Sequence, residues 1–327
     1  MKVLLTGASG FVGSHILDGL VARDIPTTVL LRATSHRRFL EPHFGRITIA
    51  DGALSEPTSL AAALAGITHV IHCAGATKAV HAEELYRVNR DGTRNLVAAV
   101  NACAPNVKRL VHISSLAVSG AGTRAAPARE DASPQPVSEY GRSKLAAELE
   151  VTRGSRVPYV ILRPGGVYGP RDREFLPLFK AARHRVVPAF GGGRQELSLV
   201  FAKDLAAVAL AALERDIPSG VVCHVASPEV VTARQLTDEV AAVMGVRAWT
   251  LPLPNAVLPV LCGVAQWAAR LTGRASILAH GKRHELAAPG WVADVSRLKT
   301  ALGRDCPTPL RAGLAETFEW YRREGWV

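Results

Sequence analysis

The sequence is short of the residues that would make a staple or a metal clip. Its five cysteines, at 73, 103, 223, 262 and 306, are odd in number and contain no Cys-x-x-Cys pair. Neither a disulfide framework nor a thiolate metal site is written into such spacing; no metal is expected, and a reducing cytoplasm is the expected setting. Long basic runs are also absent. The net charge of +11 is scattered over places such as Arg37-Arg38, Arg183–Arg185 and Arg322-Arg323, which describes a solvated basic surface that attracts anionic small molecules. No nucleic-acid partner is therefore expected. The apolar start, Met1–Thr6, is too short for a signal-peptide core and runs into a glycine turn. Leu251–Ala269 carries no charge, but Pro252, Pro254, Asn255, Pro259 and Gln266 interrupt it. Residues 251–271 are thus expected to form an apolar helix beside a substrate, with peripheral membrane contact left open. Internal repeats and low-complexity segments are missing too.

What is present is a globular composition, 48% hydrophobic over 327 residues, enough for one large unit with a smaller lobe. Short β-rich runs at Lys2–Thr6, Thr27–Leu31, Arg46–Ala50, Val70–Cys73, Arg109–Ser114 and Pro158–Leu162 alternate with helical patterns at Phe11–Arg23, Pro57–Ala65, Glu83–Cys103 and Glu139–Thr152. This alternation predicts an α/β fold, a doubly wound parallel sheet of the Rossmann type, with a smaller C-terminal substrate-binding lobe. The dinucleotide-binding unit is placed at 1–165, with 198–226 returning to it through a helix at Lys203–Glu214 and a strand at Val221–Val225. The lobe takes 166–197 and 227–327.

The first strand ends in Gly7-Ala8-Ser9-Gly10-Phe11-Val12-Gly13, and a helix follows at once. In that context the glycines serve a tight turn, close approach to a pyrophosphate and close helix packing, while the helix N-terminus supplies oriented N–H groups. The second strand ends in Arg32 where an NAD-preferring fold would usually carry an acid; a cation suits a 2′-phosphate, with Ser35, Arg37 and Arg38 nearby. NADP(H) is accordingly the expected cofactor, preferred over NAD.

Tyr140 and Lys144 stand four residues apart on one face of a predicted helix. An ammonium beside a phenol favours the phenolate and would tune it for proton transfer. Ser115 follows the strand Arg109–Ser114 at the carboxyl edge of the sheet, where its hydroxyl can bond a substrate oxygen.

These residues, with His72-Cys73-Ala74-Gly75, Val88-Asn89-x-x-Gly92-Thr93-x-Asn95, Ser114-Ser115 and Arg163-Pro164-Gly165-Gly166-Val167-Tyr168-Gly169-Pro170, resemble the extended short-chain dehydrogenase/reductases over nearly the whole chain. The resemblance implies Tyr140 as proton donor or acceptor, Lys144 on the nicotinamide ribose, and Ser115 on the substrate carbonyl. It implies a cofactor lined by Gly7, Ser9, Gly10, Phe11, Val12, Gly13, Arg32, Arg37, Asp51, Gly52, Cys73, Ala74, Gly75, Asn89, Ser114, Pro164 and Val167, with Asn89 equally open to a structural role. Tyr140, Ser115, Gly166 and Leu197 would face the substrate. Sugar-nucleotide epimerases of the family typically have asparagine at Gly166, arginine at Leu197 and an acid at Arg32; the dehydratases typically have an Asp-Glu pair where Leu116-Ala117 stand. The chain looks more like the reductases of hydrophobic ketones or alcohols, the flavonol-reductase-like and 3β-hydroxysteroid-dehydrogenase-like members. Arg171, Arg173 and Arg194 keep an anionic substrate open. A nucleotide-sugar 4-epimerase with tightly held NAD and a non-catalytic dinucleotide- or nucleic-acid-binding protein are the alternatives. The resemblance also implies a homodimer through Glu83–Cys103 and Glu139–Thr152.

Overall fold

A computed structural model describes residues 1–272 and 282–327. Its strands, in chain order, are β1 (Val3–Thr6), β2 (Thr27–Leu31), β3 (Ile47–Asp51), β4 (His69–His72), β5 (Arg109–Ile113), β6 (Tyr159–Pro164), β7 (Gly166–Tyr168), β8 (Val186–Phe190), β9 (Glu196–Phe201), β10 (Val221–Val225), β11 (Val230–Thr232), β12 (Trp249–Leu253) and β13 (Gly290–Trp291). Seven of them form one sheet in the order β10-β6-β5-β4-β1-β2-β3, and every pairing in it is parallel. A parallel sheet is covered on both faces, so its strands are apolar on both. Val3 and Leu5 accordingly join one core with Ile16, Leu17 and Leu20 of α1 (Phe11–Ala22) and Leu205 and Ala209 of α7 (Ala202–Glu214). Leu4, between them, joins the other with Leu60 of α2 (Pro57–Ala63), Leu96 and Val100 of α4 (Gly92–Cys103) and Val151 of α5 (Glu139–Gly154).

The helix expected over Glu83–Cys103 is built in three parts: α3 (Ala82–Tyr86), a wide π turn at Arg87–Asp91, and α4. Such a turn inserts a residue and re-aims side chains, and Asn89, buried in the middle of it, is the side chain that benefits.

The smaller lobe is organised around β9, flanked on one side by antiparallel β11 and on the other by parallel β13 and β7. Thus β9, read from the sequence as part of the return to the large sheet, belongs to the lobe; α7 and β10 make the return. Around a core that includes Tyr168, Phe179, Leu199, Phe201, Trp320 and Tyr321 pack α6 (Leu176–Arg183), α8 (Ala233–Val243) and α12 (Leu310–Arg323). The lobe also carries α9 (Leu258–Thr272) and α10 (Lys282–Ala287), while α11 (Ser296–Leu302) packs back on the large unit. The single helix expected over 251–271 is instead β12, a turn at Asn255–Val257 and α9. Pro252 and Pro254 explain the difference, because neither supplies the N–H a helix interior requires.

Beneath the carboxyl ends of β5 and β6 lies a buried ion pair. Arg163 of β6 donates from Nη2 to Glu148 Oε2 at 2.7 Å and from Nε to Glu148 Oε1 at 2.9 Å, and both residues are 5% exposed or less. Breaking one partner of such a pair leaves an uncompensated buried charge. Glu148→Gln is therefore expected to cost about 3 kcal/mol of unfolding free energy, measured by urea titration; an unchanged midpoint would remove the pair from the fold's essential contacts.

Candidate active site

The first turn is shaped by steric exclusion. Gly7 has φ of +78°, and a β-carbon there would lie 2.6 Å from Ala74 N; one on Gly13 would lie 2.1 Å from Gly7 O. Gly10, exposed, donates its N–H to Gly7 O at 3.0 Å and leads into α1. That helix begins with no side-chain cap and no acid in its first turn, so its leading N–H groups stay open to an anion. The cradle fits the pyrophosphate of a dinucleotide. Ser9, Phe11 and Val12 are partly exposed around it, with the Phe11 ring edge-on to His15 at 5.6 Å.

At the ends of β2 and β3, Arg32 is exposed and pairs with no acid among the described residues. Arg37 is tied to Asp51 at 3.3 Å, so these two meet a ligand as a pair and not as independent contacts. The neighbouring Arg38 is bound to Glu324 of the C-terminal segment. Gly52 donates to Leu31 O at 2.8 Å, and a β-carbon on it would lie 2.3 Å from Ser59 Cβ.

Helix α5 is capped by Ser138, which accepts from Gly141 N at 3.1 Å. Tyr140 and Lys144 fall on its first turns, facing Ser115 just beyond β5. Burial raises the Tyr140 phenol above its ordinary range; its hydrogen bond with Ser115 works against this, and the carboxylates of Glu174 and Glu285 add to it. Lys144 is buried, donates from Nζ to Ile113 O at 2.7 Å, and is pulled down to about 8 by that burial. The leading influences on the phenol are burial, Ser115 and the two carboxylates. The ammonium is aimed at the Ile113 carbonyl, and Ser115 is the group bonded to the phenol.

Below these residues, Cys73 has its thiol pushed up to about 12 by burial, although Lys144 beside it acts the other way. Ala74 N donates to Thr6 Oγ1 at 3.3 Å, and Thr6 Oγ1 meets His72 Nδ1 at 2.8 Å. Asn89 accepts from Ala76 N at 2.8 Å and donates to Ala76 O at 3.0 Å and Ser143 Oγ at 2.9 Å. Its amide is thus occupied in holding the loop after Gly75, which is a structural use. A β-carbon on Gly75 would come within 3.1 Å of Asn89 Oδ1 and 3.8 Å of Lys144 Nζ. Ser114 is engaged in the same way. Its hydroxyl donates to Glu148 Oε1 at 2.5 Å and its N–H to Leu162 O at 2.7 Å, leaving neither donor for a cofactor.

Pro164 is buried opposite Val225, and Val167 lies in the ribbon paired with Val200. Gly166 is roofed by apolar atoms: a β-carbon there would be 2.8 Å from Leu199 Cδ2 and 3.8 Å from Phe175 Cζ. Leu197, two residues before Leu199 on the same face of β9, packs half-buried against the lobe core. Glu174 and Glu285, absent from the sequence reading, are brought towards Tyr140 by the lobe, and Thr77 Oγ1 donates to Glu174 at 3.0 Å across the cleft. Glu174 follows the Arg163–Pro170 motif closely enough to have been suspected; nothing local marks Glu285.

The family model for the NAD dependent epimerase/dehydratase family matches residues 3–226. The chain belongs to that family. Within the epimerase/dehydratase family, the ceramide reductase of Caulobacter vibrioides is 30% identical over 99% of this chain and 96% of its own length. The UDP-glucose 4-epimerase of Vibrio cholerae is 28% identical over 97% and 94%. The solved structure of MoeE5 with UDP-glucose and NAD matches 99% of both chains with a TM-score of 0.78 at 25% identity. Family membership makes the chain an oxidoreductase of the extended short-chain dehydrogenase/reductase type.

Two outcomes test the geometry. Tyr140→Phe is expected to abolish turnover, by at least about 100-fold, while dinucleotide titration is unchanged; retained activity would dismiss Tyr140 as the acid. For Lys144 the unfolded side chain titrates near 10.4 and the folded one near 8, so between those pH values the unfolded chain holds more protons and stability rises with pH. Compared with Lys144→Met, the wild type should gain roughly 2–3 kcal/mol of unfolding free energy from pH 8 to pH 10.5, read by denaturant titration across that window.

Proposed function

We propose that the protein is an NADPH-dependent reductase of a hydrophobic carbonyl compound, acting reversibly on the corresponding alcohol. The observation that carries this reading is the meeting of Tyr140 with Ser115 beside the apolar atoms over Gly166, with burial and the carboxylates of Glu174 and Glu285 holding the phenol above its ordinary range. A protonated phenol beside a serine hydroxyl is a proton donor, which is what a carbonyl oxygen requires as hydride reaches its carbon. The dinucleotide, when bound, supplies that hydride. Ser115 orients the oxygen, Tyr140 gives it the proton, and Lys144 holds the ribose end of the cofactor in register. Cys73, Ala74, Gly75 and Val167 wall the nicotinamide side.

The apolar roof over Gly166, with Leu197 beyond it, suits a substrate with an aliphatic body. The ceramide-reducing relative is consistent with such a body. Two carboxylates facing Tyr140 disfavour a substrate that is itself an anion. The epimerase reading is supported by the Vibrio relative and by the nucleotide sugar bound to MoeE5, and it requires the same tyrosine to accept a proton with NAD retained. A homodimer through the α3–α4 and α5 faces and a cytoplasmic setting accompany the proposal.

Arg32 is assigned to the 2′-phosphate. In fluorescence titrations of the stripped protein, NADPH should bind at least about tenfold more tightly than NADH, since one phosphate–cation contact contributes more than about 1.4 kcal/mol, and Arg32→Asp should erase the difference. NADH preference together with a response to UDP-glucose would replace this reading by the epimerase.

A further inference from the structure

Helix α9 is apolar on two opposite sides. Leu258 and Cys262 turn inward and are buried, at 1% and 9% exposure. Val260, Val264, Trp267 and Leu271 turn outward, each more than 60% exposed. Their spacing of four, three and four residues confines them to about 60° of arc on an α-helix, so they form one continuous stripe facing away from the protein. The adjoining ribbon extends it: Trp249 is 79% exposed, Leu251 49% and Val186 49%, and β12 and β8 set Trp249 opposite Val186 and Leu251 opposite Pro188. A helix of this kind usually hides its outer side, and a solvent-facing patch of this size marks a contact surface.

Charge identifies what the surface meets. From Val240 to His284 the sequence has no acid, while it carries Arg247, Arg270, Arg274, Lys282 and Arg283; from Phe175 to Gln195 it has none either, with Lys180, Arg183, Arg185 and Arg194. The β8–β12 pairing joins the two stretches, with Trp249 N donating to Arg185 O at 2.8 Å. Arg183, Arg185, Arg194, Arg247 and Arg283 are all exposed. Exposed valine, leucine and tryptophan flanked by two cationic stretches without acids are what an anionic bilayer interface accommodates: apolar side chains enter the acyl boundary, tryptophans sit at the headgroups and arginines meet phosphate. Among the described residues no helix is long and apolar enough to cross a membrane, so the arrangement is one that lies on the surface.

We propose that the outer face of α9, with the β8–β12 ribbon, docks the protein on an anionic lipid bilayer. The position of the face gives docking a purpose. Helix α10 packs against α9 and carries Glu285, one of the two lobe carboxylates acting on Tyr140. The proposed lipid-facing surface is therefore separated by one helix from a carboxylate that acts on Tyr140, which shortens the path of an amphiphile from bilayer to cleft. The docking itself does not depend on the reductase reading; only its role in substrate delivery does.

The test is sedimentation of the full chain with phosphatidylglycerol vesicles and with phosphatidylcholine vesicles, together with tryptophan fluorescence. Binding to phosphatidylglycerol, with a blue shift and weakening but not loss in high salt, is expected. Val264→Glu with Trp267→Glu should reduce vesicle binding at least tenfold while leaving NADPH binding and turnover of a short, water-soluble ketone unchanged. Failure to bind phosphatidylglycerol, or binding that the double substitution does not weaken, overturns the proposal. So does sedimentation equilibrium showing that the same substitutions dissolve a dimer, since a second copy would then be the occupant. Loss of soluble-ketone turnover in the unsubstituted protein would count against the reductase reading alone.

Discussion

The ion pair between Glu148 and Arg163 governs the geometry around it. Buried charges of opposite sign are tolerated only when their remaining hydrogen-bonding capacity is met, and here the completion spreads outward. Ser114 donates to Glu148. Arg163 donates to Ser119 at 3.1 Å, Ser119 meets His224 at 2.8 Å, and His224 reaches Asp294 O at 3.2 Å while its N–H binds Glu130 at 2.9 Å. One polar chain therefore ties β5, β6, β10 and α5 to the loops that close the lobe. Tyr140, Lys144 and Glu148 recur every four residues, on one face of α5. Glu148 anchors the base of that face, and the serine it holds is the one before Ser115. The distance between the phenol and the serine that binds it is set from beneath.

The layer next to Lys144 shows a second constraint. His72 is lowered to about 3 by burial and by the ammonium, and His112 is held well below its ordinary range for the same reasons. The Cys73 thiol is kept neutral from the other direction. Two imidazoles thus stay uncharged beside one buried ammonium, and the thiol stays protonated through its own burial although the ammonium favours its ionised form. His72 also fixes proton positions: with Thr6 and Thr93 at 2.8 and 2.9 Å on its two ring nitrogens, it continues a hydrogen-bonded line into the carbonyl of Asn89.

Much of this was legible in the residues alone, and the exceptions have physical causes. Glycines at 7 and 13 between a strand and a helix point to a phosphate cradle, because local sterics dictate the turn. The apolar runs of the sheet announce themselves for the same reason; Val221–Val225 was found to the residue. Asn89 and Ser114 were less readable, since a polar side chain's partner is chosen by the fold: Ser114 is satisfied by Glu148, 34 positions later. The π turn at Arg87–Asp91 is a single widened turn with no residue-type signature of its own, so the sequence reads as one continuous helix. In segment 251–271 the prolines that break a membrane span also divide the apolar run into a strand, a turn and a helix, a division that apolarity alone does not show, and Glu285 acts on the site from a part of the chain with no motif.

The small sheet of the lobe has an order of assembly built into it. Its central strand, β9, is closed on one side by β7 and by Gly290–Trp291, and Trp291 in turn bridges to Gly122 while Ala293 bridges to Ala128. The phosphate cradle needs only Gly7 to Ala74, which pack against each other early in the chain. During synthesis from the N-terminus, the phosphate cradle can therefore form while the lobe's small sheet still waits for the residues around 290 and the large unit for α11. A nascent chain would have its phosphate turn in place before the strand that completes the lobe's sheet emerges.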